Sequence, residues 1–119
     1  MRGVLLALAV SLAVLFTAGE GRAGYMSGQN LNEKCHETGM PYAQCAGYIQ
    51  GVYDAGKILD PDTDKRQWKG GWTACVPDSV STGQLVAVVK KWLVEYPEGW
   101  HYDADSQVAK ALYETWRCR

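Results

Sequence analysis

The sequence predicts an all-α fold, a small disulfide-stapled bundle of about four helices behind a cleavable export signal. Three observations carry that reading. Apolar residues recur at helical spacing along most of the chain, no segment makes a persuasive strand, and the four cysteines fall where helix ends can bring them together.

The N-terminal run sets the compartment. Arg2 supplies a positive start, Val4 to Phe16 is almost uninterrupted Val, Leu and Ala, and Gly21-Arg22-Ala23 fits a small-x-small cleavage pattern. Removal of residues 1–23 is therefore expected, leaving one domain over 24–119; Thr17-Ala18-Gly19 offers a rival cleavage point of the same kind. The apolar stretch is shorter than the ~20 residues that span a bilayer. No later segment is apolar enough to span, so no membrane attachment is expected after cleavage. Export places the domain in the periplasm, where thiols oxidise.

Losing Arg2, Arg22 and Glu20 lowers the formal net charge from -1 to -2. Mixed charge of this kind gives no concentrated cationic face, so no nucleic-acid partner is expected. A domain this small has a core that crosslinks help appreciably.

Taken in order, Asn30 caps a short first helix with Leu31 and Cys35 inward, and Gly39 followed by Pro41 reads as its stop. From Tyr42 to about Leu59, the residues Cys45, Tyr48, Ile49, Val52, Tyr53 and Gly56 form one helical face, the strongest period in the chain. Gly47 and Gly51 lie four apart there, each costing up to about 1 kcal/mol of helix propensity, so close approach by a neighbouring helix is expected. Asp60 to Thr73 breaks the pattern with Pro61, six charged residues and Gly70-Gly71, and reads as a long loop between two helical hairpins. Loops of that length usually have a job. Ser81 and Gln84 then make a capping box, and Leu85, Val88, Val89, Trp92, Leu93 and Tyr96 mark the buried face of a third helix stopped by Pro97. Asp103 caps a fourth helix running through Trp116, with Ala104, Val108, Ala111, Leu112 and Trp116 inward.

Helix order constrains the cysteines. Helices joined by a short turn run antiparallel, so Cys35 at the end of the first lies beside Cys45 at the start of the second. Cys75 and Cys118 stand in the same relation around the third and fourth. Of the three connectivities that four cysteines allow, this one closes each hairpin without crossing the domain. No CxxC is present, and the cysteines are too scattered for a redox or zinc motif.

Between Cys45 and Gly56 stands CAGYIQGVYDAG, between Cys75 and Pro97 CVPDSVSTGQLVAVVKKWLVEYP, and between His101 and Cys118 HYDADSQVAKALYETWRC. In this ordered set the chain resembles the Rap1a/Tai family of small secreted bacterial proteins, from about Leu31 to Cys118. Arg117 departs from the pattern, which has an apolar residue or proline before the last cysteine. The family's founding members are immunity proteins against type VI secretion amidase effectors. The resemblance implies a compact helical bundle, often a homodimer, that sits in the periplasm and plugs the groove of a peptidoglycan-cutting enzyme. It therefore implies a protein partner, a cell-wall amidase or related hydrolase.

No reaction centre or cofactor site is expected. Asp60, Asp62 and Asp64 alternate like the opening of a calcium loop, but Lys65 occupies the position that needs glycine and Gly71 the one that needs a bidentate glutamate. His36 and His101 lack patterned partners, and Asp54 lacks a second acid or a nucleophile. No metal is expected, and the chain reads as a non-enzyme. The partner-binding candidates are Trp68 and Trp72 in the long loop, Trp100 before the fourth helix, and the acidic Glu95 and Glu98 beside it. Exposed tryptophans anchor interfaces, while tryptophans folded back over a bundle act as lids; the sequence fits both. The alternative function from another class is a periplasmic chaperone or envelope-stress factor on the same scaffold.

Overall fold

The computed structural model describes residues 25–57 and 64–119. The expected leader over 1–23, Asp60 and Asp62 lie outside the described residues; the second helix, expected to run to about Leu59, already ends at Ala55, and Lys57 pairs with Arg66 instead. Four helices carry the domain: α1 (Gly28–Cys35), α2 (Met40–Ala55), α3 (Thr82–Glu95) and α4 (Ala104–Thr115).

α1 is capped by Ser27, whose Oγ accepts from the Asn30 backbone N–H at 3.1 Å. The expected cap Asn30 is thus already in the first turn. Pro41 likewise belongs to the start of α2, where a missing N–H costs nothing, rather than to the stop of α1. α3 has the capping box read from the sequence: Ser81 Oγ accepts from Gln84 N–H, and the Gln84 side chain accepts from Ser81 N–H. Asp103 stands at the α4 N-cap, although its side chain makes no capping bond.

The long loop is not wholly a loop, and the fold is not purely all-α. Two three-residue strands, β1 (Lys65–Gln67) and β2 (Thr73–Cys75), pair antiparallel with Arg66 opposite Ala74. Gly70 and Gly71 turn the chain between them at φ 97° and 86°, a region that a Cβ disfavours. The hairpin is fixed on both sides. Gln67 N–H donates to the Gly56 carbonyl at the end of α2, and Cys75 N–H donates to the Trp116 carbonyl after α4. Arg66, 8% exposed, lies over the Tyr53 ring and donates to its hydroxyl at 2.8 Å. A stacked and hydrogen-bonded guanidinium tolerates burial far better than a bare ammonium.

The core unites Leu31 and Cys35 of α1, Cys45 and Ile49 of α2, Ala74 and Val76, Leu85, Val86, Val89 and Leu93 of α3, and Ala104, Val108, Ala111 and Leu112 of α4. Tyr96 departs from the expected buried face and is 40% exposed, because α3 ends at Glu95 and the chain turns into a short 3₁₀ segment, Pro97–Gly99. Gly47 and Gly51 also depart. Both are exposed, and a Cβ at either would meet nothing within 4 Å, so no neighbouring helix of the described residues approaches them.

Disulfides join Cys35 to Cys45 and Cys75 to Cys118, the pairing that helix order requires. The first ties α1 to α2. The second ties β2 to the tail beyond α4, where Ala74 also bridges Arg117.

Candidate functional site

α3 and α4 pack together along their buried faces, while the turn from α3 through Pro97–Gly99 to α4 leaves an open cleft beside them. Its volume is about 380 Å³, and Gly99 and Gln107 are its buried residues. Trp92, Tyr96 and Tyr102 give it three aromatic surfaces, and Lys110 and Glu98 complete the rim. Trp92 and Tyr96 lie one helical turn apart, with ring centroids at 4.2 Å. Both also line a second hollow of about 270 Å³ that includes Glu95 and Glu114.

Gln107 organises the cleft from beneath. It is 2% exposed, and its Oε1 accepts from the Trp92 indole N–H at 3.3 Å. A Cβ at Gly99 would stand 2.6 Å from that oxygen, so a larger residue there would have to push the Gln107 side chain aside. At the rim, the Lys110 ammonium lies 5.3 Å from the Trp72 ring centroid and 5.5 Å from that of Tyr102. Trp72 meets the Tyr113 ring edge-on at 5.3 Å, and Arg117 lies over Tyr113 while pairing with Glu114. Rings and cations thus alternate along one side of α4, holding side chains in place before any partner arrives. Such preorganisation lowers the ordering cost of binding.

The expected partner-binding residues divide into two groups. Glu98 lines the cleft, Glu95 lines the adjoining hollow and pairs with Lys91 at 3.7 Å, and Trp72 reaches the same region through Lys110. Trp100 and Trp68 instead fold inward. The Trp100 indole donates to the Leu93 carbonyl and the Trp68 indole to the Val52 carbonyl, each at 2.7 Å. Trp68 covers Gly56 so closely that a Cβ there would sit 2.3 Å from the ring. With Gly47, Gly51 and Tyr48, it lines a separate, mostly apolar groove on α2.

Gln107, Tyr102 and Lys110 were not among the residues expected from sequence. Gln107 carried a usable signal: it falls three residues after Ala104 and four before Ala111, in the middle of the inward stripe of α4. Tyr102 and Lys110 carried none, because they meet only through the turn between α3 and α4.

Three groups have displaced titrations, one of them Arg117, raised by its hydrogen bond and ion pair with Glu114. Burial pushes the Tyr48 phenol above its ordinary range, and the Asp105 carboxylate adds to the effect. Asp64 is raised by a hydrogen bond shared with Asp78 and by the repulsion between the two carboxylates. Among the described residues, no group of three His, Cys, Asp or Glu side chains is arranged to hold a metal ion.

These features define a small four-helix domain, braced by two disulfides and presenting an aromatic and charged cleft at the α3–α4 turn. The family model for Rap1a immunity proteins matches residues 27–118, and the chain belongs to that family. Membership implies a protein effector as the binding partner. No curated protein matches the chain.

Proposed function

We propose that the protein is a periplasmic immunity protein that binds a type VI secretion peptidoglycan amidase, occludes its groove and thereby inhibits it, with no catalysis of its own. The observation that carries the reading is the family match over residues 27–118, which spans all four helices and both disulfides. Two bridges in so small a domain suit an oxidising compartment. The apolar leader over 1–23 is the means of reaching it, with 24–119 as the functional domain. The preorganised rings and charges beside α4 supply the kind of surface that anchors protein interfaces, where Trp, Tyr and Arg dominate.

The test is co-expression with a peptidoglycan amidase effector encoded beside the gene and directed to the periplasm. The protein is expected to restore growth when exported and to fail when its leader is deleted. Lysis that continues despite an exported, folded protein would overturn the reading.

A further inference from the structure

The groove on α2 lies on a face that the described fold leaves uncovered. Gly47 and Gly51, both exposed, line it together with Tyr48, Val52 and Trp68, around a space of about 370 Å³. Glycine inside a helix sacrifices propensity, and here no described residue makes use of the room, since a Cβ at either position would meet nothing within 4 Å. The aromatic wall is fixed. The Trp68 indole donates to the Val52 carbonyl at 2.7 Å, and its ring covers Gly56. The groove therefore exists before anything enters it, which lowers the ordering cost of filling it.

Charge decides what can fill it. Asp105 also lines the groove, and Asp105 and Trp68 both line the adjoining hollow of about 360 Å³, so these two residues stand where the two spaces meet. Asp103 lines the same hollow. After burial, the charges of Asp105 and Asp103 are what raise the Tyr48 phenol, which sets both carboxylates beside the groove wall. Neither is in an ion pair found among the described residues, and Lys69, which also lines the hollow, pairs with neither. Asp105 accepts from the N–H of its neighbour Ser106 at 2.8 Å, and Asp103 makes no capping bond. A wholly apolar occupant would leave these carboxylates unanswered, and an acidic one would be repelled. A side chain with an apolar stem and a cationic head matches both parts of the site. Of the two such side chains, arginine fits better: its planar guanidinium stacks on an indole and gives two N–H groups to a carboxylate, whereas a lysine ammonium is a strongly hydrated point charge.

We infer that this groove receives an arginine side chain presented by the protein partner, its stem over Gly47 and Gly51 and its guanidinium between Trp68 and Asp105. That the arginine belongs to a protein rests on the immunity reading, but its recognition can be tested without that partner.

The experiment titrates the N-acetyl methylamides of arginine, citrulline, lysine and glutamate into the disulfide-intact protein, followed by ¹H–¹⁵N NMR. The arginine probe is expected to cause saturable shifts of the Gly47 and Gly51 amides and of the Trp68 indole N–H. Citrulline has nearly the same shape without the charge and should bind about fivefold more weakly, the upper end of what one exposed charge pair supplies. Lysine should also bind more weakly than arginine, and glutamate should cause no saturable shift. Asp105→Asn keeps an acceptor for the Ser106 N–H and should bring arginine and citrulline to equal affinity. Gly51→Leu fills the groove from its floor, and it should abolish the response to arginine without lowering the urea midpoint. The absence of a saturable shift, equal binding of arginine and citrulline or of arginine and lysine, a preference that survives Asp105→Asn, or an undiminished response in folded Gly51→Leu would each overturn the inference. Failure to neutralise an amidase alongside the expected probe order would instead count against the immunity reading and leave the arginine site standing.

Discussion

Gly47, Gly51 and Gly56 occupy one helix and its cap, yet their environments differ sharply. At Gly47 and Gly51 an added methyl meets nothing, while at Gly56 it would collide with the Trp68 indole. Gly47→Ala and Gly51→Ala are therefore expected to stabilise the domain by about 0.5–1 kcal/mol each through helix propensity alone. Gly56→Ala is expected to cost about 1–3 kcal/mol, because a ring anchored to the Val52 carbonyl must move. Urea unfolding of the three variants checks both signs, and tryptophan emission should shift only in Gly56→Ala. Tyr48 provides a pH signature. Its phenol is raised above 10.0 in the folded state, so above that pH the unfolded chain releases its proton first. Stability from this group is complete below pH 10.0 and is lost as pH rises through the raised native value. Tyr48→Phe should flatten the alkaline part of the stability curve, measured as urea midpoints between neutral pH and about pH 11.

Among the elements, α3 and α4 were the most legible, because caps and apolar stripes are local signals that the final packing preserved. The Ser81–Gln84 box and the inward Leu85, Val89 and Leu93 stand where the pattern put them. The β1–β2 hairpin was not legible. Three-residue strands are too short for alternation to register, and their pairing is fixed from outside by the Gly56 and Trp116 carbonyls. The start of α1 was displaced because Ser27 and Asn30 are both good caps, and the contacts of Gly28 and Gln29 with the Tyr102 and Trp100 carbonyls favour the earlier one. The cleft was half legible: Glu98 lies on its edge and Glu95 on the adjoining hollow, but Gln107, although its place in the inward stripe of α4 marks it, was not singled out. The disulfides also differ as elements. Cys35 and Cys45 are fully buried, whereas Cys75 and Cys118 are half-buried, so dithiothreitol should open the second bridge first. Alkylation and mass spectrometry should detect an intermediate with Cys75 and Cys118 modified. Its loss of stability should reach at most about 4 kcal/mol by chain entropy, with the first bridge worth about 3. Simultaneous opening of both bridges would contradict this difference in access.

For the whole molecule, the fold places its preorganised aromatic and charged side chains on the α3–α4 side and braces that side through the hairpin and the Cys75–Cys118 bridge. Occlusion by a rigid surface makes a demand that a client-binding chaperone does not share: a fixed stoichiometry with one folded partner, lost when the cleft changes and the fold does not. Lys110→Glu reverses the charge held between Trp72 and Tyr102, and it is expected to weaken partner binding by about tenfold or more without moving the urea midpoint appreciably. The most direct measurement is titration of the purified, disulfide-intact protein into the partner proposed for it, a peptidoglycan amidase effector, with hydrolysis of peptidoglycan as the readout. Activity is expected to fall linearly to zero at a fixed molar ratio, with Lys110→Glu requiring a clear excess. Undiminished hydrolysis at saturating folded protein would contradict it.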